Sequence, residues 1–256
     1  MPKLFNKIRK KLVSEKPSLS RTRNYFKYAI GEIILVVIGI LIALQINSAN
    51  TNRQNNIKKI EIFTSMRHEL QSIHKNLLAE NKRLDGTKNK CKSLLEMIYY
   101  QKNATFKDSI HKNFWEIFAI PGNNIAFQSY QNILNTNKLE LIKDHIIISQ
   151  LGDINTAILA KKKALGWQDS QWNTINQPFL NKNVEMLEFR YFDSTTDIIM
   201  PQNNLLTTDV QNLFKSQEFR NIIYNRLAAA GDISINNNHL IKIINKTIIS
   251  LDNKLK

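Results

Sequence analysis

The stretch Ile33–Leu44 reads IILVVIGILIAL and decides the architecture of this 256-residue chain. Apolar residues continue backward to Ala29 and forward to Ile46, and Glu32 is the one strong interruption. As a helix, Ala29–Ile46 would be about 27 Å long at about 1.5 Å per residue, close to the thickness of a bilayer core. The favourable transfer of its aliphatic side chains outweighs the cost of one off-centre carboxylate. The sequence therefore predicts one transmembrane helix.

A buried core segment of a soluble protein and a cleaved signal peptide are the two alternatives for this stretch. A core helix or strand of this length is expected to carry a periodic polar face, which Ile33–Leu44 lacks. A signal peptide ends in a small-x-small cleavage site and has a shorter apolar part, whereas Gln45-Ile46-Asn47-Ser48 follows here. We therefore expect an uncleaved anchor.

Positive charge is concentrated before the apolar stretch. The whole chain has a net charge of +15, and its first 28 residues contribute +8, because nine Lys and Arg oppose Glu15 alone. Within twenty residues of the apolar stretch, seven basic residues precede it and three follow it. Because flanking Lys and Arg are retained in the cytoplasm, we expect the N-terminus inside and the C-terminus outside.

Residues 1–28 form the basic cytoplasmic segment of this prediction. Leu4, Phe5, Ile8 and Leu12 share one helical face among the basic residues, which favours a helix lying on an anionic membrane surface. A disordered tail that only orients the membrane helix is the alternative. Nucleic-acid binding is disfavoured, because neither interleaved aromatic residues nor a known motif accompanies the charge.

The remaining chain, residues 47–256, is predicted to form a helical domain. Seven glycines and five prolines are too few for a many-turned β fold. Beyond Asn50, apolar residues recur at helical intervals of three and four. The first series comprises Phe63, Met66, Leu70, Ile73, Leu77, Leu84, Cys91, Leu94 and Ile98. Glu80 and Thr87 interrupt its seam, which favours a bundle core over a free coiled coil. Asp85-Gly86 is a plausible break, so one long helix and a hairpin both stay open.

Further helices are predicted toward the C-terminus. The expected ranges are Ile125–Asn135, Glu140–Ala164, Val210–Phe214, Ser216 through Ala230, and His239–Leu251, with N-caps at Asp209 and Ser216 and a left-handed C-cap at Asn137. Loops are expected at Pro121–Asn124 and around Pro178–Thr208, the latter with short extended pieces at Phe189–Phe192 and Ile198–Met200. The second loop is a candidate ligand loop. The predicted fold class is all-α, with one N-terminal transmembrane helix followed by a helical bundle.

Recognisable catalytic and metal-binding motifs are absent from the sequence. Cys91 is the single cysteine, so no intramolecular disulfide or multi-cysteine metal site can form. His68 and His74 are six residues apart, not the four that point two rings at one metal. Trp167 and Trp172 are predicted to pack in the core, with a shared pocket as the alternative. We expect no metal, no cofactor and no enzymatic activity.

The predicted membrane helix contains candidate contact residues. Glu32 is its one ionisable group, and its carboxylate either reaches the interface or Lys27 or takes part in helix–helix contact. Gly39 and Ala43 are four residues apart, and Gly31 lies two turns earlier on the same face. Small residues at this spacing let two membrane helices approach closely. The expected partner is a second copy of the chain or an envelope protein, with tolerated small residues as the alternative.

The string Tyr28–Asn47, YAIGEIILVVIGILIALQIN, resembles the signature of a single-pass membrane-protein family of unknown function that is common in Bacteroidota. The segments Lys7–Leu12, Phe127–Leu134 and Leu139–Lys143 resemble the family's patterns more loosely. The resemblance implies a domain held in the bacterial inner membrane with its bulk in the periplasm, and it implies no activity. The Trp that the family often carries after the membrane helix is missing from Asn47–Asn50.

These observations predict a membrane-anchored module. Residues 1–28 are expected in the cytoplasm, residues 29–46 in the lipid bilayer and residues 47–256 in the periplasm, where the domain binds a protein or a small ligand. An accessory subunit of an envelope complex and a periplasmic enzyme with an unrecognised site are the alternatives. A large exposed apolar patch would favour the subunit, and a deep pocket with converging polar groups would favour the enzyme.

Overall fold

The computed structural model describes residues 19–100, 114–118, 125–136, 138–185 and 208–255, with the side chains of residues 19–24, 115 and 116 excepted. Every regular element in these ranges is a helix, and none of them contains a strand. The predicted all-α class is therefore confirmed. The predicted loop Pro121–Asn124, the cap at Asn137 and the extended pieces Phe189–Phe192 and Ile198–Met200 lie outside the described residues.

The helices of the described ranges are numbered here in chain order. They are α1 (Leu19–Tyr99), α2 (Phe114–Phe118), α3 (Gln128–Asn135), α4 (Leu139–Ile142), α5 (His145–Gln171), a π-helix (Trp172–Asn176), α6 (Gln177–Asn183), α7 (Val210–Lys215) and α8 (Gln217–Leu255). By its internal contacts the chain divides into two units, Met1–Lys59 and Ile60–Lys256.

In the first unit, the described residues belong to α1. Its large aliphatic side chains from Ile33 to Ile46 are all exposed, from 47% at Val37 to 74% at Leu35. Among the described residues, α1 is the one helix that is long and apolar enough to cross a membrane, and none of its most apolar 18-residue window is buried.

In the second unit, α1 contributes a regular buried stripe. Its buried residues are Phe63, Met66, Leu70, Ile73, Leu77, Glu80, Leu84, Thr87, Cys91, Leu94 and Ile98. They alternate by three and four, which is a heptad repeat, so the predicted apolar series is confirmed. The helix continues through Asp85-Gly86, so the hairpin does not form. A glycine costs a helix about 1 kcal/mol relative to alanine, less than the about 1.5–3 kcal/mol gained by burying a side chain such as Leu84.

Polar contacts give the directions of the three long helices of this unit. Arg67 of α1 pairs with Asp252 of α8, and Asn81 of α1 donates a hydrogen bond to Asn238 of α8, so the two helices run antiparallel. The first half of the buried stripe of α1 shares an apolar cluster with α5. The second half of that stripe shares another cluster with α6. The segment from α5 to α6 therefore runs parallel to α1.

The core of the second unit consists of three apolar clusters along these helices. The lower cluster joins Phe63–Leu77 of α1 to Ile147–Ile158 of α5 and Leu240–Leu251 of α8. The middle cluster is small and comprises Leu84, Leu165, Ala230 and Ile233. The upper cluster joins Cys91, Leu94 and Ile98 to Phe114, Ile117, Phe118, Phe179, Leu180, Val184, Val210, Leu213, Phe214, Phe219, Ile222 and Ile223. The short helices α2, α6 and α7 thus close the upper end.

The predicted helix Glu140–Ala164 is wrong at both ends. The chain forms the short helix α4 and leaves it at Lys143, whose φ of 48° is left-handed. A new helix, α5, then begins because the Asp144 carboxylate accepts hydrogen bonds from the backbone N–H groups of Ile146 and Ile147, at 3.0 and 3.1 Å.

The loop predicted to begin at Pro178 is also wrong at its start. Pro178 is the second residue of α6 and lies just after the π-helix, whose wider turn already departs from the α-helical hydrogen-bond pattern that a proline interrupts. The π-helix before it leads α5 into α6 without a loop, and helix ends only at Asn183. Of the two tryptophans predicted to be buried, Trp172 packs against the upper cluster, whereas the side chain of Trp167 is 49% exposed.

At the C-terminus, both predicted caps are confirmed. The Asp209 carboxylate accepts from the backbone N–H of Asn212 at 3.0 Å, and the Ser216 hydroxyl accepts from the backbone N–H of Phe219 at 3.2 Å. The predicted gap between two C-terminal helices is wrong, because α8 is continuous. Ser234 and Asn237, which lie in the predicted gap, are buried and continue the packed face of this helix.

Candidate functional site

The predicted contact residues of the expected membrane helix lie on α1 in the first unit. Gly31, Glu32, Gly39 and Ala43 are all exposed. A Cβ atom built at Gly31 or Gly39 would meet no atom within 4 Å. The described chain therefore brings no second element against this face, and its role in helix–helix contact stays a prediction.

A first buried polar group lies between the lower and middle clusters of the second unit. The Lys161 ammonium donates to Glu80 Oε2 at 2.5 Å and to Asn237 Oδ1 at 2.8 Å. The Asn237 amide in turn donates to Asn81 Oδ1 at 3.0 Å. This Glu80–Lys161–Asn237 layer joins all three long helices.

Burial governs the electrostatics of this layer. The side chains of Glu80 and Lys161 are 1% and 2% exposed. Desolvation lowers the pKa of Lys161 below its ordinary value, while the hydrogen bond and the charge of Glu80 oppose that shift. Glu80 Oε1 is buried and has no hydrogen-bond partner among the described residues. The layer holds compensated charge inside the core, and access from solvent to it is closed.

A second buried polar group lies in the upper cluster, where Arg226 of α8 is 2% exposed. Its Nε donates to the backbone carbonyl of Ile117 at 3.0 Å. With the Gln168 amide oriented so that its oxygen faces the guanidinium, that oxygen also accepts from Arg226. Arg226 was not among the predicted site residues, because arginine is ordinarily solvated, and its spacing from Ile222 and Ala230 was the one signal that it lies on the packed face of α8.

The thiol of Cys91 lies in this second group. Burial raises its pKa to about 11, and the positive charge of Arg226 opposes the shift. A thiol with such a pKa is protonated at neutral pH and is a poor nucleophile, because the thiolate is the reactive form. Cys91 therefore acts here as a core residue.

A cleft of about 820 Å³ opens at the upper end of the second unit. Its walls come from the C-terminal end of α1, from α7 and from the start of α8. The lining residues are Leu95, Glu96, Ile98, Tyr99, Tyr100, Gln211, Phe214, Lys215 and Arg220. Apolar and charged side chains thus meet in one concave surface.

Arg220 is the most firmly positioned charged group of the cleft. Its Nη1 donates to the backbone carbonyls of Phe214 and Lys215, both at 3.0 Å. These carbonyls end α7, so the guanidinium satisfies acceptors that the short helix leaves open. The other nitrogen atoms of Arg220 make no hydrogen bond within the described ranges, which leaves donors for a ligand.

The remaining polar groups and the tyrosines line the opening of the cleft. Glu96 and Lys215 are exposed, and neither forms an ion pair with a described residue. The rings of Tyr99 and Tyr100 are 80% and 64% exposed and meet edge to face with their centroids 5.1 Å apart. These residues were not predicted to form a site, although the two adjacent tyrosines at the end of the apolar series were a signal in the sequence.

The described residues contain no group of three or more His, Cys, Asp and Glu side chains that could hold a metal ion. The candidate ligand loop around Pro178–Thr208 can be assessed only up to Glu185 and from Thr208, since the residues between lie outside the described ranges. Comparison of the chain with protein-family models, with curated proteins and with solved structures gives no match.

Proposed function

We propose that this protein is a single-pass membrane protein that holds a helical binding domain at the periplasmic face of a bacterial inner membrane. The observation that carries the proposal is the exposure of the apolar stretch of α1, of which no part of the most apolar window is buried. Exposed apolar surface is unfavourable in water by about 25 cal/mol per Å², and a bilayer removes that penalty.

The second unit provides the contrast that supports this proposal. Its long helices bury their apolar stripes, so that Met66, Leu70 and Leu77 are completely shielded from solvent. The same helix α1 thus carries a covered apolar stripe in one unit and an uncovered apolar surface in the other. Lipid is the expected cover of the uncovered surface, and the family resemblance adds the inner membrane and the periplasm.

The binding role of the domain rests on the cleft at its upper end. Tyrosine rings and an arginine whose other donors are open among the described residues are the residue types that dominate binding energy in recognition sites. We assign the domain to binding and not to catalysis, because its buried acid–base pair is shielded from solvent and its thiol is protonated. The ligand is a protein or a small molecule.

Membrane extraction tests the anchoring. The full chain is expected to stay in the membrane pellet under alkaline carbonate. Replacing Val37 and Ile38 together with Arg places two charges at the centre of the span, each costing about 2.5–3.5 kcal/mol, and should abolish stable insertion.

A matched control is the double replacement of Ile57 and Ile60 with Arg. Both isoleucines are about half exposed, at 49% and 54%, and both follow the apolar stretch. This variant should remain membrane-bound. Release of the unmodified chain by carbonate, or a mature chain that begins near Asn50, would overturn the proposal.

A further inference from the structure

We propose that the cleft lined by Tyr99, Phe214, Lys215 and Arg220 binds a small organic anion, in which a carboxylate is attached to an aromatic or aliphatic body. This inference rests on the binding role proposed above and names the class of ligand. Membrane anchoring is independent of it, so either can fail while the other stands.

The fixed guanidinium of Arg220 recognises the carboxylate. Two backbone carbonyls hold its Nη1, at 3.0 Å each, so the side chain is positioned before a ligand arrives. Preorganisation of this kind reduces the conformational entropy that binding would otherwise cost. The donors that stay open match the two oxygen atoms of a carboxylate, with which arginine forms its strongest hydrogen bonds.

The charge balance of the cleft favours an anion. Among the described residues that line the cleft, Lys215 and Arg220 are positive and Glu96 is the one acid. Neither Lys215 nor Glu96 forms an ion pair with another described residue. An anionic ligand therefore gains from two cations and is repelled by one carboxylate. The sign of each contribution can be tested separately.

The apolar part of the lining accepts the body of the ligand. Phe214 and Ile98 are buried residues whose surfaces reach the cleft, and Leu95 is half-buried beside them. The exposed rings of Tyr99 and Tyr100 lie at the same site. The volume of about 820 Å³ falls within the range of about 300–1,000 Å³ that is typical of small-molecule sites.

The test measures the binding of 1-naphthoate to the full chain in nanodiscs of zwitterionic lipid, with empty nanodiscs subtracted. The uncharged analogue 1-naphthalenemethanol is the matched probe. Equilibrium dialysis gives the dissociation constant for each probe. We expect saturable binding of 1-naphthoate and at least about tenfold weaker binding of the alcohol, because the alcohol loses the charge-assisted hydrogen bonds to Arg220.

Three variants measure the contribution of each charged lining residue to the binding of 1-naphthoate. Arg220→Gln should weaken 1-naphthoate binding about tenfold, and Lys215→Gln about threefold, since its ammonium is solvated. Glu96→Gln should tighten binding about twofold to threefold, because it removes a like charge. Lys75→Gln, an exposed site outside the lining, changes net charge as Lys215→Gln does and should leave binding unchanged.

The Glu96→Gln variant keeps the test decisive if Arg220→Gln disturbs the fold, since a gain in affinity cannot come from misfolding. The proposal is overturned if 1-naphthoate does not bind the unmodified chain at millimolar concentration. It is also overturned if both probes bind equally well, or if Glu96→Gln fails to tighten binding of the anion.

Discussion

Glu80 and Lys161 show how a single buried pair shapes the core of the second unit. Removing two charges from water costs several kcal/mol per ion, and the pair regains that cost only through its geometry and its hydrogen bond to Asn237. The layer is therefore weak as a source of net stability. It has a stronger effect on the pairing of the helices, because any other register would leave a buried charge without its partner.

The first prediction concerns this pair. Glu80→Ala should lower the free energy of unfolding by about 3–5 kcal/mol, because it leaves the Lys161 ammonium buried without a counter-charge. Combining Glu80→Leu with Lys161→Met should restore stability to near or above that of the unmodified chain. Chemical denaturation followed by circular dichroism gives these values.

An exposed pair on the same helix is the control. Lys88 and Asp85 form an ion pair whose side chains are 27% and 61% exposed, so Asp85→Ala should cost only about 0–1 kcal/mol. A double variant at Glu80 and Lys161 that is no more stable than Glu80→Ala alone would contradict the account of the buried charge.

The sequence indicated that Glu80 occupies a packed position of the heptad, but it did not identify Lys161 as the partner of Glu80. Glu80 stands at a seam position of the heptad, and that anomaly was visible from spacing alone. Lys161 lies 81 residues further along the chain and is the first of three consecutive lysines. It continues the three-and-four spacing of Ile158 and Leu165 on α5, but that spacing does not identify Glu80 as its partner. Pairing between distant segments depends on helix register, which a single sequence does not encode locally.

At the scale of elements, the second half of α1 was the most predictable part of the fold. Its apolar series is strictly periodic, and burial follows it at every position from Phe63 to Ile98. Periodicity on this scale reports the packed face directly. The possible break at Gly86 was undecided because one glycine costs too little to end a helix that is packed on both sides of it.

The segment from α4 to α6 was predicted less well. Its boundaries depend on local events, namely the left-handed residue Lys143, the cap at Asp144 and the π-helix before Pro178. A proline ends or kinks a helix by interrupting its regular hydrogen-bond pattern, but at Pro178 the π-helix just before it has already changed that pattern. Such boundaries depend on individual backbone groups, and apolar periodicity carries no information about them.

The second prediction concerns the part of α1 that is proposed to span the membrane. Replacing Gly39 and Ala43 together with Leu should keep insertion and abolish self-association, because the bulkier side chains prevent close approach of two helices. A membrane two-hybrid assay measures the association. The matched control replaces Ile34 and Val37 with Leu on the opposite side of the helix, at 100° per residue.

Association of the unmodified helix that survives the Gly39 and Ala43 replacements would exclude this face as the contact. A complete lack of signal from the unmodified helix would exclude self-association itself. Either result would leave the anchoring of the chain unaffected, since all these variants keep the span apolar.

At the scale of the whole molecule, the charge distribution determines the expected topology. The first 28 residues carry +8 of the total charge of +15, and seven basic residues flank the apolar stretch before it against three after it. The all-α class that the structure confirms is compatible with either orientation. Orientation rests on the charge asymmetry, which composition alone conceals and which becomes visible only when the charges are placed along the chain.

The cleft illustrates the limit of sequence analysis at this scale. Its lining comes from the end of α1 and from α7 and the start of α8, which follow more than 100 residues later in the chain. Each contribution is ordinary by itself: a pair of tyrosines, a lysine at the end of a short helix and an arginine in the first turn of a long one. Only packing of the upper cluster brings them together.

The orientation of the C-terminus tests the central claim most directly. Alkaline phosphatase and green fluorescent protein are each fused after Lys256 of the full chain in a bacterial host, and phosphatase activity and fluorescence are measured at equal expression. Alkaline phosphatase becomes active in the periplasm, whereas green fluorescent protein exported in unfolded form stays dark there. The account predicts high phosphatase activity and no fluorescence, with both fusions in the membrane fraction. A fluorescent fusion without phosphatase activity would contradict it.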